Sequence, residues 1–154
     1  MNAMIRPSRQ QGSMLLEALI AILVFSMGIL AIVGLQATSV KLSTDAKFRS
    51  EASLLGNQLI GEMWASDRTP ATLQTNFQGG QGTNGPQYLA WRASVLNAQT
   101  GLPGSVANPP TVQIVTVPPI LPAISTSSLV TITIFWQAPG ETSVHNFVTV
   151  AQII

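Results

Sequence analysis

The chain has 154 residues, 7 Lys+Arg against 6 Asp+Glu for a formal net charge of +1, and no cysteine. That length holds one domain plus a membrane segment, and so even a charge balance leaves no basic footprint for nucleic acid. Without cysteine there is neither a disulfide framework nor thiol chemistry, so a globular part must rest on its core.

Residues 1–11 are polar and carry Arg6 and Arg9, a short basic leader. Gly12-Ser13-Met14-Leu15-Leu16-Glu17 follows, and then an uncharged run from Ala18 to Leu35. Eleven of those eighteen residues are Leu, Ile, Val or Phe. As a helix the run spans about 27 Å, close to the roughly 30 Å hydrocarbon core of a bilayer. Glu17 stands at its entrance. A carboxylate at the bilayer centre costs about 3 kcal/mol on insertion scales, and less near the edge. Eleven large apolar residues contribute about 3 to 7 kcal/mol in favour, so the segment still inserts with one acid at its cytoplasmic end.

A basic leader, Gly12, four residues, Glu17 and an apolar helix together resemble the class III signal of type IV pilins and type II secretion pseudopilins. The run Leu15-Leu16-Glu17-Ala18-Leu19, with Gly28 to Gln36, is similar to the PilV group of minor pilins. The similarity covers roughly the first forty residues. It departs from the family's pattern at Ser13, where Phe or Met is commoner, and at Gly34, where a proline is often found. The resemblance implies that a prepilin peptidase cuts after Gly12 and that Ser13 becomes an N-methylated amino terminus. Glu17 is then the assembly residue, whose carboxylate pairs with the amine of a neighbouring subunit. Ser26, Gly28 and Gly34 are poor helix formers, and the resemblance marks them as weak points where related pilins unwind. Cleavage would remove both leader arginines, leaving 5 basic against 6 acidic side chains. Lys41, Lys47 and Arg49 lie beyond the run, so orientation rests on the cleavage motif and not on the positive-inside rule. An ordinary secretory signal would have a shorter apolar region without an acid, and Ala37-Thr38-Ser39 is a weak site for its cleavage.

Past Gln36 the helical pattern turns amphipathic. Phe48, Ala52, Leu55, Leu59 and Met63 recur at three and four and form one apolar stripe. Lys41, Asp45, Lys47, Arg49 and Glu51 fall mostly on other faces, and Lys47 with Glu51 can pair across a turn. Pro70 disfavours helix at Thr69, so the helix should end near Ser66. From Ser13 to Ser66 it would measure about 80 Å. Thr69 to Pro86 reads as a flexible surface loop. Gly80, Gly82 and Gly85 spell the dinucleotide fingerprint within it, but no strand precedes them and Pro86-Gln87-Tyr88 reads as the opening of a strand, where the fingerprint needs a helix. Leu89, Trp91, Ala93 and Val95 alternate with Tyr88, Ala90, Arg92 and Ser94 as on a half-buried strand. Gly101 to Pro110 is a second loop. Thr111 to Val117 is a strand stopped by Pro118-Pro119. Ser128 to Gln137 alternates Val130, Ile132, Ile134 and Trp136 against Thr131, Thr133 and Phe135. Ala138-Pro139-Gly140-Glu141 is a turn, and Ser143 to Ile154 returns as the second strand of an antiparallel hairpin.

The expected fold is α+β and pilin-like: a long N-terminal helix, its first half transmembrane, packed on an antiparallel sheet of about four strands. Residues 1–12 are the leader, 13–36 the transmembrane half of the helix, and 37–154 a periplasmic globular domain. No catalytic, cofactor-binding or metal site is read from the residues. His145 has no acid near it in sequence except Glu141 and reads as structural or exposed; Glu51 and Glu62 read as solvated helix charges. Trp64, Trp91 and Trp136 at these positions read as core rather than as a binding patch. The resemblance implies a minor pilin of an initiating or tip complex, not an enzyme, without cofactors. Its partners would be the prepilin peptidase, other minor pilins, the major pilin and the inner-membrane assembly platform. It would reside in the inner membrane, N-terminus cytoplasmic, and in the pilus after assembly. A minor pseudopilin of a type II secretion system and a membrane-anchored adhesin are the alternatives.

Overall fold

The computed structural model describes residues 11–119 and 125–154. The leader arginines Arg6 and Arg9 lie outside the described residues. The chain divides into two compact units, Met1–Ser43 and Thr44–Ile154. One helix, α1 (Gln11–Ala65), supplies segments to both, and it ends one residue before the expected position.

In the second unit, α1 is followed by α2 (Pro70–Phe77), α3 (Pro86–Val95), β1 (Thr111–Val117), β2 (Ser127–Trp136) and β3 (His145–Ile153). The three strands make an antiparallel meander in the order β1-β2-β3. The class is α+β as expected, but among the described residues the sheet has three strands, not the expected four or so. The segment read as the first strand, Tyr88 to Val95, is helix α3. Its buried residues are Tyr88, Trp91 and Val95, spaced at three and four, whereas Leu89 is exposed. Trp91 and Val95 satisfy both a period of two and a period of 3.6, so the alternation was ambiguous. Pro86 after Gly85 resolves it physically: a proline at the first helical position leaves no intrahelical donor unmet. Pro70 acts likewise. It follows the end of α1 and opens α2, which occupies eight of the eighteen residues expected to be loop. Between the two helices, Asp67 accepts from the Thr69 backbone N–H at 3.0 Å and from Thr72 Oγ1 at 3.2 Å. The backbone bond holds the Asp67 carboxyl below its ordinary value.

The core joins the expected helix stripe to the inner faces of the strands. Ala52, Leu59 and Met63 are fully buried, with Phe48 and Leu55 packed at the margin. Val112 and Ile114 of β1 and Val130, Ile132, Ile134 and Trp136 of β2 meet them from the sheet. Gly56 is buried where β3 approaches α1: a Cβ there would lie 3.2 Å from Thr149 Cγ2. The stripe and the alternation of β2 are thus as the sequence indicates. Lys47 Nζ and Glu51 Oε1 are 3.7 Å apart across one turn, as expected. Trp91 and Trp136 are buried, but Trp64 is 45% exposed beneath the Arg68 guanidinium, contrary to its reading as core. Its position one residue past Met63 turns it off the stripe.

The short helices are fastened by buried polar contacts. Trp91 Nε1 donates to the Leu55 carbonyl at 2.9 Å, tying α3 to α1. Tyr88 Oη donates to the buried Pro110 carbonyl at 2.7 Å, and burial pushes its phenol pKa up. The Tyr88 ring lies flat against Gly79, which pairs with Val112 in a two-bond antiparallel bridge at the edge of β1. A Cβ on Gly79 would fall 2.2 Å from Tyr88 Cδ1. Gly79→Ala should therefore lower the melting temperature of the detergent-solubilised full chain, through overpacking of about 1 to 3 kcal/mol. Gly61→Ala, on an exposed helix turn with no atom within 4 Å of the new Cβ, should be neutral or raise it. Equal melting temperatures for Gly79→Ala and the parent chain would refute the close approach.

Candidate assembly segment and a side-chain cluster

Gly12, Ser13 and Glu17, the residues expected to be processed and to serve assembly, fall on the first two turns of α1. Gly12 and Ser13 are helical, and every side chain from Ser13 to Ser43 is exposed. Leu19 is 67% and Phe25 69% exposed, values that no folded core would leave. The helix is long and apolar enough to cross a membrane. Its bare apolar surface requires either lipid or other apolar helices around it.

At 3.6 residues per turn, Ser13 and Glu17 lie on one face, one turn or about 6 Å apart. Gly28 returns to that face some three turns on, Gly34 falls about 60° to its other side, and Ser26 points away from it. The helix runs unbroken through all three of the weak points. Ser26 Oγ donates to the Ile22 carbonyl at 2.7 Å, and Thr38 Oγ1 to the Gly34 carbonyl at 3.1 Å. Such bonds back along the helix compete for the carbonyls and soften it. Neither Gly28 nor Gly34 has an atom within 4 Å of an added Cβ, so packing within this chain does not call for glycine at either position.

The glycine-rich stretch provides no phosphate cradle. Gly79 N–H bonds the Val112 carbonyl at 3.1 Å, Gly85 N–H the Gln78 carbonyl at 2.9 Å, and Gly80 N–H the Asn84 side chain at 2.8 Å. These amides serve the loop's own turn, with Gly80 and Gly82 at φ of +89° and +83°. The loop is pinned to the sheet edge.

A cluster that the linear order of the chain hides sits at the start of β3. Asp45 of α1, Glu141 and His145 place one donor atom each within 4.8 Å of the others. Glu141 Oε2 and His145 Nε2 are 2.7 Å apart. The imidazole stacks on the Trp136 ring across the β2–β3 pair, centroids 5.8 Å apart and planes at 16°. Asp45 Oδ1 is buried and has no hydrogen-bond partner. The spacing of Glu141 and His145 was visible in sequence; the contribution of Asp45, ninety-six positions earlier, had no local signal.

No protein-family model matches the chain, and neither a curated protein nor a solved structure does.

Two interior glycines each cost about 1 kcal/mol relative to alanine, so local opening around them should be the easiest in the segment. In the full chain held in lipid nanodiscs, amides from Ser26 to Gly34 should exchange faster than those from Ala18 to Leu23. Equal protection along the whole span would remove the weak points.

Proposed function

We propose that this chain is a minor pilin of a type IV pilus, inserted by its apolar helix, cleaved after Gly12 and assembled through Glu17. The observation that carries the reading is an uncovered apolar helix whose single acid stands one turn from the prospective amino terminus. No basic residue occurs between Gln11 and Val40, so the chain offers Glu17 no cationic side chain within the segment. Cleavage would create the missing cation at Ser13. An unpaired carboxylate in hydrocarbon is costly, and an amine from a correctly placed neighbour offsets that cost only in one axial register. Glu17 then acts as a register device, and the role of the protein is structural rather than catalytic. The prepilin peptidase, other minor pilins, the major pilin and the inner-membrane platform are its proposed partners. The globular unit would lie in the periplasm.

Burial of Trp91 and Trp136 weakens the adhesin alternative, because it withdraws two of the three aromatics such a surface would use. The pseudopilin alternative shares the amino-terminal chemistry. Recovery of the chain in sheared pili, with Ser13 as its first residue by mass spectrometry, separates the two.

Gly12→Glu places a charged side chain at the bond to be cut, and the full-length precursor should accumulate in the inner membrane. Normal maturation of that variant would dismiss Gly12-Ser13 as the processed bond.

Glu17→Gln keeps the size and one acceptor while removing the charge. The variant should be inserted and cleaved like the parent yet poorly recovered in sheared pili, as read by immunoblot of membrane and pilus fractions. Recovery at the parental level would leave Glu17 a self-paired acid at the membrane edge.

A further inference from the structure

We propose that Asp45, Glu141 and His145 form a zinc-type divalent cation site that clamps the β2–β3 turn to α1, an inference independent of the assembly reading. Three observations converge on it. The three donor atoms already lie within 4.8 Å of one another, although they come from two separate segments of the chain. Asp45 also has a carboxylate oxygen, Oδ1, that is buried with no hydrogen-bond donor, an arrangement that costs free energy until a cation or a donor satisfies it. The third is the position of Glu141, which is set by the backbone. Its N–H bonds the Ala138 carbonyl at 3.1 Å across Pro139 and Gly140, and Gly140 has a φ of +83°. Proline followed by a glycine at positive φ is the type II turn pattern. Gln137 Nε2 donates to the Glu141 carbonyl at 2.7 Å and braces the same turn.

The donor set selects the ion. Calcium takes six to eight oxygen ligands and magnesium a near-octahedral oxygen shell, so an imidazole as one of three donors suits neither. One imidazole with two carboxylates suits zinc, with water in the fourth tetrahedral position. At bond lengths of about 2.0 to 2.2 Å, tetrahedral ligands stand roughly 3.4 Å apart. The Glu141–His145 pair, now at 2.7 Å, must open by about 0.7 Å, and Asp45 must close on it, both within reach of side-chain torsions. The His145 side chain is 36% exposed and gives the ion a way in, while the Trp136 ring fixes the plane of the imidazole. In a chain without cysteine, such a clamp would close the long loop from α1 to the last hairpin, as a disulfide does elsewhere.

The test uses the untagged full chain in detergent micelles, titrated with zinc chloride by calorimetry. The sequence has one histidine and no cysteine, so competing zinc ligands are few. One zinc per chain should bind saturably below about 100 μM and raise the melting temperature, as any ligand of the native state does. Asp45→Asn and His145→Gln should each weaken binding by at least about tenfold, and Glu62→Gln should not. Cobalt(II) chloride should give the visible absorption of a tetrahedral site in the parent chain and not in Asp45→Asn. Should His145→Gln fail to fold by circular dichroism, the parent titration and Asp45→Asn decide. Absence of saturable zinc uptake by the parent chain, or undiminished affinity in Asp45→Asn, overturns the site.

Discussion

The structure depends on what covers the apolar stripe of α1. Ala52, Leu59 and Met63 are sealed from water, and each large side chain so buried contributes roughly 1.5 to 3 kcal/mol. A three-stranded meander presents only a narrow inner face, mainly the alternate residues of β2 with Val112, Ile114 and Ile153. Two short helices extend that face. Leu73 and Phe77 of α2 and Tyr88, Trp91 and Val95 of α3 complete the core. Their helices are eight and ten residues long, too short to persist alone. The bonds from Trp91 to Leu55 and from Tyr88 to Pro110 hold α3, and the second would be expensive to break because its acceptor carbonyl is buried.

The close contact between Gly79 and Tyr88 shows how the sheet edge is managed. An edge strand exposes unpaired backbone groups that invite another chain. Along β1, Val112 spends its N–H and carbonyl on Gly79, and the Gln74 side chain reaches the Ile114 carbonyl at 3.1 Å. The glycine-rich stretch thus has a structural reason to be glycine: Gly79 for proximity to an aromatic ring, Gly80 for its backbone angle. A fingerprint match in letters carried no chemistry once its amides were accounted for.

What could be read from the sequence follows the range of the interactions. The apolar run, the stripe from Phe48 to Met63, the alternation of β2 and the Ala138-Pro139-Gly140-Glu141 turn are periodic or local signals, and the structure has each of them. The error at Tyr88 to Val95 came from a segment too short to separate two periods, in which Trp91 and Val95 fit either. Proline at the start of both α2 and α3 carries the missing information, whereas in sequence Pro70 reads as a stop and Pro86 as the opening of a strand. Asp45 illustrates the opposite limit. On the helix it is one charge among Lys41, Lys47, Arg49 and Glu51, and only the folded chain sets it beside His145.

Glu17 and Asp45 make an instructive pair because both are acids on the same helix, and their surroundings assign them different work. Asp45 lies beside the chain's own turn and strand, where Glu141 and His145 stand with it once the second unit folds and Oδ1 is left without a hydrogen-bond partner. Glu17 lies in a segment with no basic residue for twenty-three positions after it, so the apolar run itself offers it no cationic side chain. On the proposed reading, the charge that satisfies it comes from the new amino terminus of a neighbouring subunit. A carboxylate left in that condition costs little while it remains at the membrane edge and much once it is drawn among apolar helices. In the proposed assembly the cost rises when a neighbour is misplaced, which would make the same residue tolerable in the isolated chain and selective in a filament. On the proposed reading Glu17 serves assembly while Asp45 belongs to the folded second unit, and a change at one need not disturb the other.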